Sequence, residues 1–393
     1  MTRSADIRTT HAIPGPGEKT PGKANYRRIV VKLGSNLLTG GGQGLNIEGM
    51  ASLVGQVARL HRMGVEVLVV TSGAIASGRA LLDRIPDHRG VPLRQVLASV
   101  GQGRLMQAYD RLFSEYGITV AQALVSRGDL SDRLGYLNVR NTLTTLLDLG
   151  VVPIINENDV VAVEEIRETR FGDNDNLSAM VANLVDADLL MLLTDTAGLY
   201  TADPHQAPDA TFISRVEEID GEIEALAGGT GNPQGIGGMV TKVQAARLAT
   251  ASGVEVVIAN GREEDVVLRL ARGESLGTHF PASTTKMESR KRWMLSGLNS
   301  RGALRVDLGA ARALRKGGKS LLPAGVVAVE GDFRRGDVVS ILDGEGNRIG
   351  CGLANYDAGE AVKIKGAQSR DIQGLLGHEY GDEVVHRSNL VLL

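Results

Sequence analysis

The chain has 393 residues, a formal net charge of -3 at pH 7 and one cysteine, Cys351. A single cysteine excludes an intrachain disulfide framework and a multi-cysteine zinc site, and the small net charge excludes the global basic field that drives non-specific nucleic-acid binding. Because the chain is longer than most single hydrophobic cores allow, we expect at least two domains.

Residues 1–25 are rich in Pro, Gly, Ser and Thr and lack the apolar stretch of a secretory signal, so the sequence predicts a disordered N-terminal tail. The longest apolar runs, such as Leu189 to Leu193, are far shorter than the roughly 20 residues that span a bilayer. We therefore expect no membrane contact and a cytoplasmic location, where a reducing environment suits the lone cysteine.

From Arg28 onward, short β-branched runs alternate with segments of helical length. The strand candidates are "RIVVKLGS", "VEVLVVTSG", "GITVAQALVS", "VVPIINEND", "LLMLLTD" and "VEVVIANG". Between them, "IEGMASLVGQVARLHRM" and "LSDRLGYLNVRNTLTTLLDL" predict helices. The alternation is typical of an α/β fold with a mainly parallel open sheet sandwiched by helices, which we assign to residues 26–297.

The pattern changes after "SRKRWMLSG", where segments shorten and turns such as "EGDFRRGD" and "LDGEGNRIG" recur about every ten residues. This spacing predicts a small β-rich second domain over residues 298–393.

Ligands of open α/β sheets bind where the carboxyl ends of the strands converge. The residues that end the predicted strands are therefore candidates for a site. The polar ones are Lys32, Ser35, Thr71, Ser72, Asn156 to Asp159, Thr194 and Asp195.

Two segments resemble phosphate-binding loops, but "GEKTPGKA" lies in the tail and "ALRKGGKS" lacks the first glycine, so we reject both. Lys32, which is followed by Gly34 in "VVKLGS", and Lys242, which ends "GIGGMVTK", are stronger candidates. Clustered glycines at a helix start form an anion-binding nest, and two lysines favour a polyphosphate ligand. The alternatives are a strand-end lysine that reaches solvent and a flexible surface loop.

The stretch "FGDNDNLSAM" places four short polar residues, Asp173 to Asn176, before an apolar helical run. A single N-cap needs only one of them. We interpret Asp175 as the carboxylate that orients the two lysines and Asn174 as a substrate ligand, although a polar turn with one cap remains the alternative. Because no histidine pair or catalytic triad is evident, the missing base favours a carboxylate acceptor, which is already ionised.

The segments "VVKLGSNLLT", "VVTSGAIASG", "PIINENDVVAVEEI", "FGDNDNLSA", "LLTDTAGLYTADP" and "GIGGMVTKVQAA" together resemble the glutamate 5-kinase family of the amino acid kinase superfamily. The similarity runs in order from about Arg28 to Trp293. It implies ATP-dependent phosphorylation of the γ-carboxylate of L-glutamate, the first step toward proline. It also implies Mg²⁺ that is carried by the ATP phosphates and not by protein ligands.

The resemblance also implies roles for individual residues. Lys32 and Lys242 would be catalytic, with Asp175 organising both. The substrate ligands would be Ser72, Gly73, Asp159 and Asn174. The nucleotide site would comprise Lys32, Gly34, Thr194, Asp195, Ile236, Gly237, Gly238, Met239, Val240, Thr241 and Lys242.

Two departures from the family pattern bear on affinity and not on the reaction. Ile236 stands where the family usually has threonine, which moves more of the phosphate contact to backbone N–H groups. The segment "RETR" before Phe171 is longer than the family form.

The C-terminal region resembles the PUA domain. PUA domains elsewhere bind RNA, but a solvated surface is the favoured interpretation of its basic residues, which are Arg334, Arg335, Lys363, Lys365 and Arg370. Family membership further implies a homo-oligomer, proline as a feedback inhibitor and a downstream glutamyl-phosphate reductase as a partner. The alternative functions are phosphorylation of another carboxylate such as N-acetylglutamate, and a sensor or RNA-binding protein on a kinase fold.

Overall fold

The computed structural model describes residues 24–42, 44–82, 91–161, 174–204, 207, 209–228, 238–286, 301–316 and 319–392. Nearly all of the predicted tail and the predicted boundary at residue 297 lie outside these ranges. Within them, no helix combines the length and apolar character needed to cross a membrane.

The first domain is built on a seven-stranded sheet in the order β3-β4-β2-β1-β5-β8-β9. All neighbouring strands are parallel except β9, which runs antiparallel to β8. This confirms the predicted mainly parallel open sheet, and its strands are β1 (Arg28–Leu33), β2 (Glu66–Val70), β3 (Val120–Val125), β4 (Val152–Glu157), β5 (Leu189–Thr194), β8 (Glu255–Asn260) and β9 (Thr278–Phe280). A separate short ribbon pairs β6 (Leu199–Tyr200) with β7 (Phe212–Ile213).

Helices cover both faces of this sheet. Strand residues alternate between two cores, so that Ile29 and Val31 of β1 pack in one hydrophobic cluster and Val30 packs in the other. The helices of this domain are Ser35–Thr39, Ile47–Arg62, Ala74–Leu81, Val91–Ser114, Arg127–Ser131, Arg133–Asp148, Asn174–Leu184, Gly221–Gly228, Met239–Thr250 and Val266–Ala271.

The single helix predicted for "LSDRLGYLNVRNTLTTLLDL" is wrong in one respect, because the structure has two helices that divide at Asp132. A capping box between Ser126 and Asp129 starts the first helix, and the Asp132 side chain accepts from the Gly135 backbone N–H to start the second. The Asp132 cap satisfies a backbone N–H that a continuous helix would bond internally, so this cap fixes the break.

The second domain contains a five-stranded sheet in the order β11-β10-β12-β13-β14, which confirms the predicted β-rich region. Only the β10–β12 pair is parallel. Its strands are β10 (Gly302–Val306), β11 (Val326–Gly331), β12 (Val338–Leu342), β13 (Arg348–Leu353) and β14 (Leu390–Leu392), and its helices are Leu308–Arg315, Ala358–Ile364 and Ile372–Leu376, with short 3-10 turns at Pro323–Gly325, Ser369–Asp371 and Arg387–Asn389.

The two domains meet along the Arg133–Asp148 helix. Leu137 of this helix packs with Cys351, Leu353 and Val391 of the second sheet in one buried apolar cluster. Arg335, one of the five basic residues, donates to Asn138 Oδ1 at 2.6 Å and lies over the Tyr380 ring at 3.9 Å from its centroid. Arg335 is thus part of a domain contact, whereas the other four basic residues are exposed.

Candidate active site

Lys32 points into the site because side chains along a β-strand alternate between the two faces of the sheet. It lies two residues after Val30, so its side chain points to the same face of the sheet as that buried valine. The Asn174–Leu184 and Met239–Thr250 helices cover that face, since their apolar residues pack in the same cluster as Val30. Lys32 is only 6% exposed, which disagrees with the alternative of a lysine reaching solvent.

Asp175 binds both predicted lysines. Its Oδ1 lies 2.5 Å from Lys32 Nζ, and its Oδ2 lies 3.3 Å from Lys242 Nζ. The Thr241 hydroxyl also lies 2.8 Å from Asp175 Oδ2, a contact that the sequence did not predict. The three charged side chains are each at least nine-tenths buried, so two positive charges and one negative charge meet inside the protein.

Burial and charge act in opposite directions on the Asp175 carboxyl. Burial raises its pKa, but the Lys32 and Lys242 charges, together with hydrogen bonds from Lys32 and Thr241, outweigh burial and lower the pKa to about 2. Asp175 also lies in the first turn of its helix, where the helix dipole favours a negative charge. Asn174, Asp175 and Asn176 therefore form the first helical turn and do not precede it as we predicted, while Asp173 lies outside the described residues.

The nucleotide-binding candidates lie at the carboxyl ends of β1 and β5 and at one helix start. The Gly34 backbone N–H donates to Leu193 O at 3.1 Å, and a Cβ at Gly34 would lie 3.2 Å from that oxygen, so only glycine fits there easily. Asp195 accepts hydrogen bonds from Asn36 at 2.8 Å and from Thr194 at 3.2 Å. Although burial raises the pKa of Asp195, these hydrogen bonds help to lower it overall.

The helix that carries Lys242 begins at Met239, within the segment where a helix start was predicted, and Gly238 is its N-cap. Gly238 has no side chain to occupy the N–H groups of the first turn, which Met239, Val240 and Thr241 provide. These groups suit an anion. Ile236 and Gly237 lie outside the described residues.

The substrate candidates come from three neighbouring elements. Asn174 Nδ2 donates to Ser72 Oγ at 3.1 Å, so the structure brings these two together. Gly73 has φ of 97°, a left-handed conformation that favours glycine, and it turns the chain from β2 into the Ala74–Leu81 helix. Asp159 lies in the partly exposed turn after β4, within one residue of Asn158, whose carbonyl accepts from Val161 N at 3.1 Å.

Two further side chains line this part of the site. Asn156, at the end of β4, accepts from Asn174 Nδ2 at 3.3 Å, and its own Nδ2 donates to Gln102 Oε1 at 2.8 Å. Asn156 was visible in the sequence as a polar strand-end residue. Gln102 lies in the middle of the Val91–Ser114 helix, where no local pattern distinguishes it from a surface glutamine.

Comparisons with known proteins identify the family of this chain. Residues 27–260 match the amino acid kinase family, and residues 302–376 match the PUA domain. The chain is 54% identical over 368 residues to a glutamate 5-kinase of Dehalococcoides mccartyi (strain CBDB1), an alignment that covers 94% of this chain and 99% of that protein. Glutamate 5-kinases of Herpetosiphon aurantiacus and Moorella thermoacetica are 51% and 50% identical, each over 93% of this chain and over 98% and 96% of their own lengths. The chain therefore belongs to the amino acid kinase family, among the glutamate 5-kinases, and carries a PUA domain behind its kinase domain.

Proposed function

We propose that this protein transfers the γ-phosphoryl group of ATP to the γ-carboxylate of L-glutamate and forms L-glutamyl 5-phosphate, the first step of proline biosynthesis. A carboxylate oxygen of glutamate attacks the γ-phosphorus, and the bond from that phosphorus to the bridging oxygen of ADP breaks. The electron pair leaves with ADP. No proton has to move, because the carboxylate is ionised at neutral pH.

The observation that carries the proposal is the pair of buried lysines that share Asp175. Phosphoryl transfer depends on positioning and on positive charge around the equatorial and bridging oxygens. Lys32 and Lys242 approach the carboxylate from two elements, so a phosphoryl group beside them would meet both. Asp175 holds the two like charges in place, because its carboxylate contacts both ammonium groups.

The residues present fit ATP. The helix start at Gly238 has first-turn N–H groups that suit phosphate oxygens, and Lys32 lies near the carboxyl end of β1. Thr194 and Asp195 lie at the same edge of the sheet, at the carboxyl end of β5. Mg²⁺ bound to the phosphates would neutralise part of their negative charge.

The decisive experiment measures two products of the purified full-length chain. ADP release is compared with L-glutamate, L-aspartate and N-acetyl-L-glutamate as acceptors, and hydroxylamine traps any acyl phosphate as a hydroxamate. We expect both products with L-glutamate and neither with N-acetyl-L-glutamate. Hydroxamate with the acetylated substrate alone would establish the other carboxylate kinase, and the absence of both products with all three acceptors would favour the sensor.

The further partners follow from the same proposal. A labile acyl phosphate requires prompt reduction, so we propose a downstream glutamyl-phosphate reductase. We also propose proline as a feedback inhibitor, a homo-oligomeric assembly and a cytoplasmic location. Proline inhibition is measured in the same assay, and the assembly by light scattering.

A further inference from the structure

A chain of side-chain amides runs through the substrate side of the site. Asn174 Nδ2 lies within hydrogen-bonding distance of Ser72 Oγ and of Asn156 Oδ1, at 3.1 and 3.3 Å. Asn156 Nδ2 then donates to Gln102 Oε1 at 2.8 Å. The chain thus joins the ends of β2 and β4, the start of the Asn174–Leu184 helix and the middle of the Val91–Ser114 helix.

One backbone group sets the direction of every bond in this chain. The Glu157 N–H, which can only donate, bonds to Asn156 Oδ1 at 2.9 Å. Asn156 must therefore present Oδ1 to Asn174 and Nδ2 to Gln102. It follows that Asn174 donates with Nδ2, that Gln102 accepts with Oε1, and that each of the two residues has its other amide atom left over.

Those two leftover atoms are buried and have no hydrogen-bond partner among the described residues. They are Gln102 Nε2, which is a donor, and Asn174 Oδ1, which is an acceptor. Buried polar atoms are nearly always bonded, so a pair without partners beside a substrate site indicates a ligand that supplies both. The head of a free amino acid does so, because its carboxylate accepts and its ammonium donates.

The backbone fixes the position of Gln102. Its neighbour Gly101 lies against the Ala74–Leu81 helix so closely that a Cβ there would be 1.8 Å from Ala74 O, and a Cβ at Gly78 would be 1.9 Å from Leu97 O. Gln95, seven residues before Gln102 on the same helix face, donates to Val160 O at 2.8 Å. The helix is therefore held to both β2 and β4 exits, and Gln102 cannot move away with it.

We propose that Gln102 is a substrate-binding residue whose Nε2 donates to the α-carboxylate of the amino-acid substrate, while Asn174 Oδ1 accepts from the α-ammonium. The assignment rests on the proposed function, because it presumes a free amino acid in this site. It makes the Val91–Ser114 helix part of the substrate specificity of the enzyme, through a residue that no motif marks.

The sharpest test is Gln102→Glu, which keeps the oxygen that accepts from Asn156 and replaces the donor with an acceptor. We expect the KM for L-glutamate to rise roughly ten- to 150-fold, the range for loss of one charge-assisted hydrogen bond, with little change in the KM for ATP. The α-amide of glutamate offers a donor to the introduced carboxylate. The ratio of kcat/KM for L-glutamate to that for its α-amide should therefore fall at least about tenfold.

Gln107→Glu is the matched control, because Gln107 is exposed on the same helix and the change adds the same charge. If Gln102→Glu fails to fold, Gln102→Met, which has a similar shape and no donor, carries the same KM prediction. Unchanged glutamate KM in the folded variants, or an equal rise in both KM values, would overturn the assignment.

If the proposed function itself is wrong, the assay gives a different result. In that case the wild-type chain itself would give no hydroxamate with L-glutamate. The shift in melting temperature that L-glutamate alone produces then still tests Gln102. A shift present in the wild type and lost in Gln102→Met supports the contact, and a shift of equal size in both contradicts it.

Discussion

The Asn174–Leu184 helix has a cluster of charges at each end, and the two clusters differ in the number of cations per carboxylate. At its start, Asp175 is 2% exposed and is shared by two lysines. Just beyond its other end, Arg140 contacts Asp186 at 2.6 Å, and Lys286 contacts Asp188 at 2.5 Å. The far end thus pairs each of these carboxylates with its own cation.

The difference indicates which cluster serves a ligand. Lys286 and Asp188 are each about a third exposed, so the net energy of their pair is small, whereas Arg140 is buried and bonds to an Asp186 carboxylate that keeps access to water. At the start of the helix, in contrast, two buried lysines from different elements meet at one carboxylate, so an anion bound beside them would lie near both. We therefore propose that the same residue types serve structure at one end and phosphoryl transfer at the other.

The largest expected effect tests this contrast directly. Lys32→Met and Lys242→Met should each lower kcat about 10²- to 10³-fold, because each removes one positioned charge from the transferring phosphoryl group. Lys286→Met is the control at the far end of the same helix and should stay near the wild-type kcat. Circular dichroism verifies folding, and a folded Lys32 or Lys242 variant with normal turnover would contradict the contrast.

Substitution of Asp159 tests whether the substrate brings a positive charge, its α-ammonium group, into the site. If Asp159 pairs with the α-ammonium of glutamate, Asp159→Asn should raise the KM for L-glutamate roughly ten- to 150-fold and leave the KM for ATP nearly unchanged. Both constants are measured on one preparation. An unchanged glutamate KM, or an equal rise for ATP, would remove Asp159 from the substrate site.

Arg140→Ala tests whether the charge cluster beyond the far end of the Asn174–Leu184 helix supports stability alone or also affects the reaction. The change removes a guanidinium that is 3% exposed and contacts both Asp186 and Ser388 of the second domain, the latter at 3.2 Å. Because Asp186 keeps access to water, we expect a loss of about 1 to 3 kcal/mol in the free energy of unfolding. Turnover should change by less than about threefold, or under 1 kcal/mol.

Urea unfolding and kcat of the same Arg140→Ala preparation are the two measurements. Ser388→Ala is the control that keeps the Arg140–Asp186 pair, and it should cost less stability. A loss of turnover as large as that of Lys242→Met, with stability unchanged, would show that the far end acts on the reaction.

Acid should remove the contribution of Asp175 to stability. The Asp175 pKa is lowered to about 2 in the folded protein, so the ionised carboxylate stabilises the fold above its unfolded pKa near 4. That contribution, about 2 kcal/mol, is lost as pH falls from about 4 through about 2. The difference in unfolding free energy between wild type and Asp175→Asn should shrink over this window, and a constant difference down to pH 2 would contradict the assignment.

The features that could be predicted from the sequence are those that depend on short local patterns. Buried β-branched runs identified the central strands, and the strand end at Lys32 and the helix start at Asp175 are visible as short motifs. Gln102 and Arg140 were not predictable, since their partners lie 54 residues away for Gln102 and 46 and 248 residues away for Arg140. The strand order depends on the same long-range contacts. The break at Asp132, in contrast, was readable from its caps and was missed.

The apolar cluster between the domains has a consequence for the order in which the chain is made. Leu137 is synthesised in the first half of the protein, whereas its neighbour Val391 belongs to the last strand, β14. On the ribosome, the apolar surface of the Arg133–Asp148 helix therefore stays uncovered by this strand until β14 has been synthesised. Chains that stop before β14 would leave that surface exposed, and they would be prone to aggregate even though every residue of the candidate active site is present.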